Sequence, residues 1–142
     1  MLLDIKLIDK TLPLPEYKTK GAVAFDLYSR TDIEIPPQKL ILVPLNVIIK
    51  IPKGYFLLMA ARSSLPVRKG IMSANSIGIF DEDFYGKNDE WRFEAYNFTY
   101  ALIKISRGER IAQAMLIKFE RAEFNQIEII KDSSRGGIGS TG

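Results

Sequence analysis

Leu40-Ile41-Leu42-Val43-Pro44-Leu45-Asn46-Val47-Ile48-Ile49-Lys50-Ile51-Pro52-Lys53-Gly54-Tyr55-Phe56-Leu57-Leu58-Met59-Ala60-Ala61 is the stretch on which the fold turns. Two apolar runs, the first rich in Leu, Ile and Val, flank Pro52-Lys53-Gly54, a turn signal. The runs read as strands, and Pro44 predicts a bulge or an edge position within the first. Outward from this stretch the same pattern repeats. Leu2 to Ile8 alternates apolar and polar side chains, and Ala22 to Tyr28 follows a turn-like Lys20-Gly21. Further strand-like runs are Ile71 to Phe80, Trp91 to Tyr96, Ala101 to Ile105, Ile111 to Phe119 and Gln126 to Ile130. Pro36-Pro37, Gly86-Lys87-Asn88-Asp89 and Arg107-Gly108 separate them. Many short strands at this spacing predict an all-β sandwich, jelly roll or barrel. One segment, Gly108 to Leu116, has a helical reading, but Ile111, Met115 and Ile117 fit a strand at least as well. With no repeat and no linker, residues 1–142 are expected to form one domain.

The composition excludes several chemistries. The 142 residues carry 20 Lys and Arg against 17 Asp and Glu, so a net charge of +3 does not argue for a nucleic-acid or membrane surface. Without Cys there is no disulfide and no thiolate metal site. Without His there is no Ser-His-Asp or Cys-His catalysis and no His-ligated zinc. Acid–base chemistry therefore falls to Asp, Glu, Lys or Tyr. The N-terminus carries charge early and no apolar run reaches membrane-spanning length, so a soluble, cytoplasmic protein is expected.

Five polar clusters interrupt the apolar pattern. Ala24-Phe25-Asp26-Leu27 places a carboxylate at a strand, which is ordinarily a turn residue. Arg62-Ser63-Ser64-Leu65-Pro66-Val67-Arg68-Lys69-Gly70 follows an apolar run, so its hydroxyls and guanidinium belong to a strand end, and Arg beside Ser suits an oxyanion. Asn75 to Gly86 leads from apolar residues into Asp81, Glu82 and Asp83 with Phe84 and Tyr85. It reads as a hairpin tip, or as a carboxylate beside an aromatic platform for a flat ring. Arg107-Gly108-Glu109-Arg110-Ile111-Ala112-Gln113 is a turn and a strand with Gln113 as the unexpected polar residue. Last, Arg135-Gly136-Gly137-Ile138-Gly139-Ser140-Thr141-Gly142 holds four Gly in eight residues. It reads as a frayed end, or as backbone N–H groups that turn toward an anion, with hydroxyls and a planar cation beside them.

In this order the clusters resemble the five motifs of the trimeric deoxyuridine triphosphatases (dUTPases). The matching segments are Ala24 to Leu27, Ala61 to Leu65, Gly78 to Gly86, Gly108 to Gln113 and Ser133 to Gly142, from near residue 22 to the end. The resemblance implies a dUTPase-like jelly roll of the β-clip type, with a β core over residues 1–131 and a flexible tail over 132–142. It implies a homotrimer in which that tail closes a neighbouring subunit's active site. It implies cleavage of dUTP to dUMP and pyrophosphate by Mg²⁺-assisted attack of water on the α-phosphorus, which limits uracil in DNA and supplies dUMP for thymidylate synthesis. Asp81 is assigned as the base that deprotonates the water, and Asp26 contacts Mg²⁺ through a metal-bound water. The phosphates fall to Arg62, Ser63, Ser64 and Gln113, with Arg135, Gly137, Ser140 and Thr141 from the tail. Uracil and deoxyribose fall to Asn75, Ile77, Gly78, Phe84 and Ile138.

The chain departs from the family pattern at several points. Ala61 replaces Pro, Ser64 replaces Gly and Pro66 replaces a small residue. Phe84 takes the place of a Tyr whose ring packs on deoxyribose. About three residues are inserted around Lys87 to Asp89. Ser133 stands where the family has Arg, and Ile138 where it has an aromatic Phe that stacks on uracil. Two other readings remain at this level. The homologous dCTP deaminases share an Arg-Ser-Ser-Leu run, matched by Arg62 to Leu65, and carry a catalytic Glu where Glu94 lies. Against that reading stand Val67 at the deaminase Arg position and the dUTPase-like tail, so Glu94 is expected to face outward. The third reading is a non-catalytic nucleotide-binding regulator, which the presence of Asp81 disfavours.

Overall fold

The computed structural model describes residues 1–137. Eleven strands occur among them: β1 (Asp4–Leu7), β2 (Phe25–Tyr28), β3 (Ile33–Ile35), β4 (Leu40–Pro44), β5 (Val47–Lys50), β6 (Tyr55–Ala61), β7 (Ile71–Ser73), β8 (Ile77–Phe80), β9 (Arg92–Asn97), β10 (Ile103–Ile105) and β11 (Arg110–Lys118). A single short helix, α1 (Ser64–Lys69), lies between β6 and β7. The strands form a four-stranded sheet β2-β11-β6-β8, a three-stranded sheet β4-β9-β7 and two ribbons, β1-β5 and β3-β10. All pairings are antiparallel. The all-β expectation is met, and the order is that of a jelly roll rather than of successive hairpins.

Period-2 alternation explains the core. In the four-stranded sheet, Phe25, Ala114, Met59 and Gly78 lie in one row across β2, β11, β6 and β8. All four are buried. The adjacent row is Asp26, Gln113, Ala60 and Ile77. Successive residues face opposite sides, so this polar row lies on the outer face. Opposite, Trp91, Phe93, Val43 and Ile71 fill the interior from the three-stranded sheet and its approaches.

Two long runs are each broken into two strands. Leu40 to Ile51 divides at Leu45-Asn46, because Asn46 takes a positive φ of 69°, a conformation Asn tolerates. Its side chain accepts from the Asp9 N–H at 2.6 Å and donates to the Asp9 carbonyl at 3.0 Å. Pro44 ends β4, and its carbonyl accepts from the Arg30 N–H at 2.8 Å. Ile71 to Phe80 divides at Ala74-Asn75-Ser76, where Ser76 has φ 63° and the Ser73 hydroxyl pairs with the Asn75 amide oxygen. The Ser64 to Lys69 segment is helical rather than a strand-end turn. Pro66 sits in its first turn, where an N–H would have no intrahelical partner. Gly70 closes it at φ 69° with its N–H on the Pro66 carbonyl. β3 is too short and mixed to stand out in the sequence. Gln126 to Ile130 does not form a strand: residues 119–137 carry none, and Phe124, Ile127, Ile129 and Ile130 are exposed. Within Gly108 to Leu116, Gly108 belongs to the turn and the strand β11 starts at Arg110, as the apolar residues favoured.

Candidate functional site

The polar row of the four-stranded sheet anchors the site. Asp26 on β2 is nearly buried, and its carboxylate is shared by two guanidiniums. Arg62 Nε lies 3.0 Å from Oδ1 and Arg110 Nη1 lies 2.9 Å from Oδ2. Arg62 follows the last residue of β6 and is locked there by its N–H on the Ile111 carbonyl at 3.2 Å. Arg110 opens β11 beside a register shift between Arg110 and Ala112, an irregularity that re-aims a side chain. Next along the row, Gln113 donates from Nε2 to the Ala61 carbonyl at 3.2 Å. Tyr28 pairs with Arg110 across the strands. Burial, and then its hydrogen bond to Glu16, push its phenol pKa up.

Beside this knot lies a cavity of about 380 Å³ lined by Arg62, Ser64, Arg68, Lys69, Glu109 and Arg110, among others. Four cations face one carboxylate, and that carboxylate is occupied by Lys69 at 2.8 Å. Ser63 precedes α1 and makes no side-chain cap bond. The sequence reading missed Arg68, Lys69 and Arg110 as lining groups. The first two became visible only with α1, whose turns bring them over the strand ends. Arg110 was in the fourth cluster but was passed over for Gln113.

A second cavity, of about 420 Å³, lies between β8 and β9 and is lined by Asn75, Gly78, Phe80, Phe84, Glu90 and Glu94, among others. Gly78 leaves room there for its neighbours. A Cβ on it would lie 3.2 Å from both the Met59 methyl and the Phe80 ring. Glu90 is held by Arg30 at 2.7 and 3.0 Å and by the Asn46 N–H at 3.0 Å, and the Arg30–Glu90 hydrogen bond raises the Arg30 pKa. Glu94 pairs with Leu42 on the outer face of its sheet. It does face away from the core, as expected, yet this places it in the cavity wall.

Asp81 follows β8 and is exposed, in clefts with Phe84 on one side and with Phe56 and Phe119 on the other. Ile77 is exposed at the far end of the polar row from Asp26. Three strand spacings separate them, about 14 Å. Within one chain, then, the two cavities share no lining residue, and Asp81 lines neither. Arg135 and Gly137 are exposed. Ile138, Ser140 and Thr141 lie outside the described residues.

A family model for dUTPase matches residues 10–142. A deoxyuridine 5'-triphosphate nucleotidohydrolase from Dictyoglomus turgidum is 40% identical over 144 residues, covering 97% of this chain and 96% of its own. The crystal structure of the Streptococcus mutans dUTPase is similar at TM-score 0.79 and 28% identity, covering 84% of this chain and 98% of that one. A variant of the Staphylococcus bacteriophage 80alpha dUTPase, solved with dUpNHpp, shares the fold at TM-score 0.85 and 22% identity, covering 99% and 98%. A matching model over nearly the whole chain, and a relative at this identity over nearly its full length, place the chain in the dUTPase family.

Proposed function

We propose that this chain hydrolyses dUTP to dUMP and pyrophosphate as a cytoplasmic homotrimer of one domain per chain. The observation that carries the reading is that, in a single chain, the cavity lined by Arg62, Arg68, Lys69 and Arg110 is separate from the cavity lined by Asn75, Gly78 and Phe84. A triphosphate and its base must meet both kinds of surface, which supports a site assembled from more than one subunit. The outer face of the four-stranded sheet supplies a surface for this. Met115, Leu58 and Ile79 form one row on it and Ile117 and Phe56 the next, and Ile79 is 61% exposed. Apolar rows of this kind mark contact surfaces.

In the assembled site Arg62, Ser63, Ser64 and Gln113 bind the phosphates. Asn75, Ile77 and Gly78 read the uracil edge, and the Phe84 ring packs on the pentose. Asp81 takes a proton from water. The water oxygen bonds to the α-phosphorus while the bond to the α–β bridging oxygen breaks, and that oxygen leaves with pyrophosphate. Residues 132–142 of a neighbouring subunit close the site, with Arg135, Gly137, Ser140 and Thr141 toward the phosphates and Ile138 toward the base.

The donor set fits an Mg²⁺ that arrives with the triphosphate. Among the described residues no three acidic side chains gather into a cage. Asp26 already accepts from two guanidiniums, and its remaining lone pairs suit a metal-bound water, in keeping with an ion that dehydrates reluctantly. When bound, Mg²⁺ would offset phosphate charge as the transition state forms. Incubation of the pure protein with dUTP, dCTP and UTP plus Mg²⁺, with separation of products, tests the reading. Pyrophosphate and dUMP from dUTP alone are expected. Deoxyuridine products from dCTP, or no turnover of dUTP, would overturn it.

A further inference from the structure

Three aromatic rings run in file from the core to the wall of the cavity between β8 and β9. Trp91 is fully buried and fixed by its backbone: its N–H donates to the Val47 carbonyl at 2.9 Å and its carbonyl accepts from the Leu45 N–H at 2.9 Å. Phe80 stacks on it, centroid to centroid 3.7 Å at 12°. Phe84 leans on Phe80 at 6.0 Å and 47°, and remains 39% exposed. Phe80 also lies over Gly78, which leaves room for its ring.

The Phe84 N–H donates to the Asp81 carbonyl at 3.2 Å, but its side chain has no hydroxyl to hydrogen-bond, so the ring's position depends on what it touches. We propose that Phe80 and Trp91 are positioning residues that hold the Phe84 ring against the pentose and thereby set the preference for 2′-deoxynucleotides. The inference rests on the proposed role of Phe84 in dUTP hydrolysis. A ring excludes an extra hydroxyl only if it cannot yield, and displacements near 1 Å are enough to cost about 10²-fold in a well-fitted site. The stack extends the rigidity of the core to an exposed side chain, which is how a supporting layer fixes a contact residue. Aromatic contacts of this kind add directional preference beyond burial.

The test compares kcat/KM for dUTP and UTP. Phe80→Leu is expected to lower the dUTP:UTP ratio about tenfold or more, chiefly through a higher kcat/KM for UTP, while Phe80→Tyr, which keeps the ring, retains the ratio. A merely structural role for Phe80 would lower the melting temperature and slow both substrates in proportion. An unchanged ratio in a folded Phe80→Leu protein that still turns over dUTP overturns the inference and leaves the proposed function standing. If the wild type does not hydrolyse dUTP, the proposed function itself fails. A second readout needs no variant, because Trp91 is the sole Trp of the chain. Titration with dUMP is expected to change its emission saturably. Unchanged emission at saturation would show that the rings are not coupled to the ligand.

Discussion

Asp26→Asn tests the electrostatic centre of the site. The carboxylate accepts one charge-assisted bond from Arg62 and one from Arg110. Such bonds contribute about 1.5–3 kcal/mol each. The arginine side chains are 29% and 38% exposed, so the low end applies, about 3 kcal/mol for the pair. Asn keeps one acceptor and recovers about 1 kcal/mol, while its NH₂ group faces a guanidinium with no acceptor to offer. The net loss is about 2 kcal/mol. At about 3–4 °C per kcal/mol for a domain of this size, the melting temperature should fall by about 6–8 °C, measured by calorimetry at one fixed protein concentration because the proposed association would make the transition depend on it. Two guanidiniums left without their shared carboxylate then form an anion site. Pyrophosphate should therefore raise the melting temperature of Asp26→Asn more than that of the wild type. Turnover of dUTP should fall as well, since the arginines lose the group that aims them. A variant as stable as the wild type would refute the ledger. A variant that is destabilised but gains nothing extra from pyrophosphate would show that the arginines do not face the phosphates.

Four further outcomes follow from the same geometry. Asp81→Asn should lower kcat by roughly 10²–10⁴-fold with an unchanged sedimentation profile; a near wild-type rate would remove Asp81 as the base. Deleting residues 135–142 should abolish most turnover and leave the melting temperature within about 2 °C, in line with the exposure of Arg135 to Gly137; a large drop would make the segment structural. Gly78→Ala places a Cβ 3.2 Å from the Met59 methyl and from the Phe80 ring, so the KM for dUTP should rise about tenfold with little change in kcat, and an unchanged KM would mean the cavity between β8 and β9 does not take the base. Ile138→Phe should lower the KM for dUTP, since a ring stacked on a base contributes about 1–3 kcal/mol; equal values would show that residue 138 does not cover uracil.

What could be read from the sequence follows from how far each signal reaches. β6 was legible to the residue, because Tyr55 to Ala61 lies between Pro52-Lys53-Gly54 and Arg62 and pairs on both sides. The breaks at Asn46 and Ser76 were not, because a residue type that tolerates a positive φ, as Asn does, adopts it at only a minority of its positions. At Asn46 the cause is distant in sequence: Asp9 and Glu90 satisfy its side chain and backbone. The helix at Ser64 was hidden by Pro66, which signals a breaker unless one knows that it falls in a first turn. Gln126 to Ile130 shows the opposite failure. Its pattern is that of a strand, but a strand needs a partner, and among the described residues it pairs with none. The site divides along the same line. Asp26 and Gln113 were legible as polar residues in apolar strands, and register then set them side by side. Arg110, Arg68 and Lys69 owe their place to a bulge and to a helix that pattern alone did not reveal. The separation between Asp26 and Asp81 belongs to no single chain's pattern. Motif order brought both carboxylates into one list, whereas a row of strands about 14 Å wide keeps Asp26 from Ile77 at the start of the strand that leads to Asp81. Residues that are grouped in a list but apart in a subunit fit the proposed site shared between subunits, for which the apolar rows of Met115, Leu58 and Ile79 offer a contact surface.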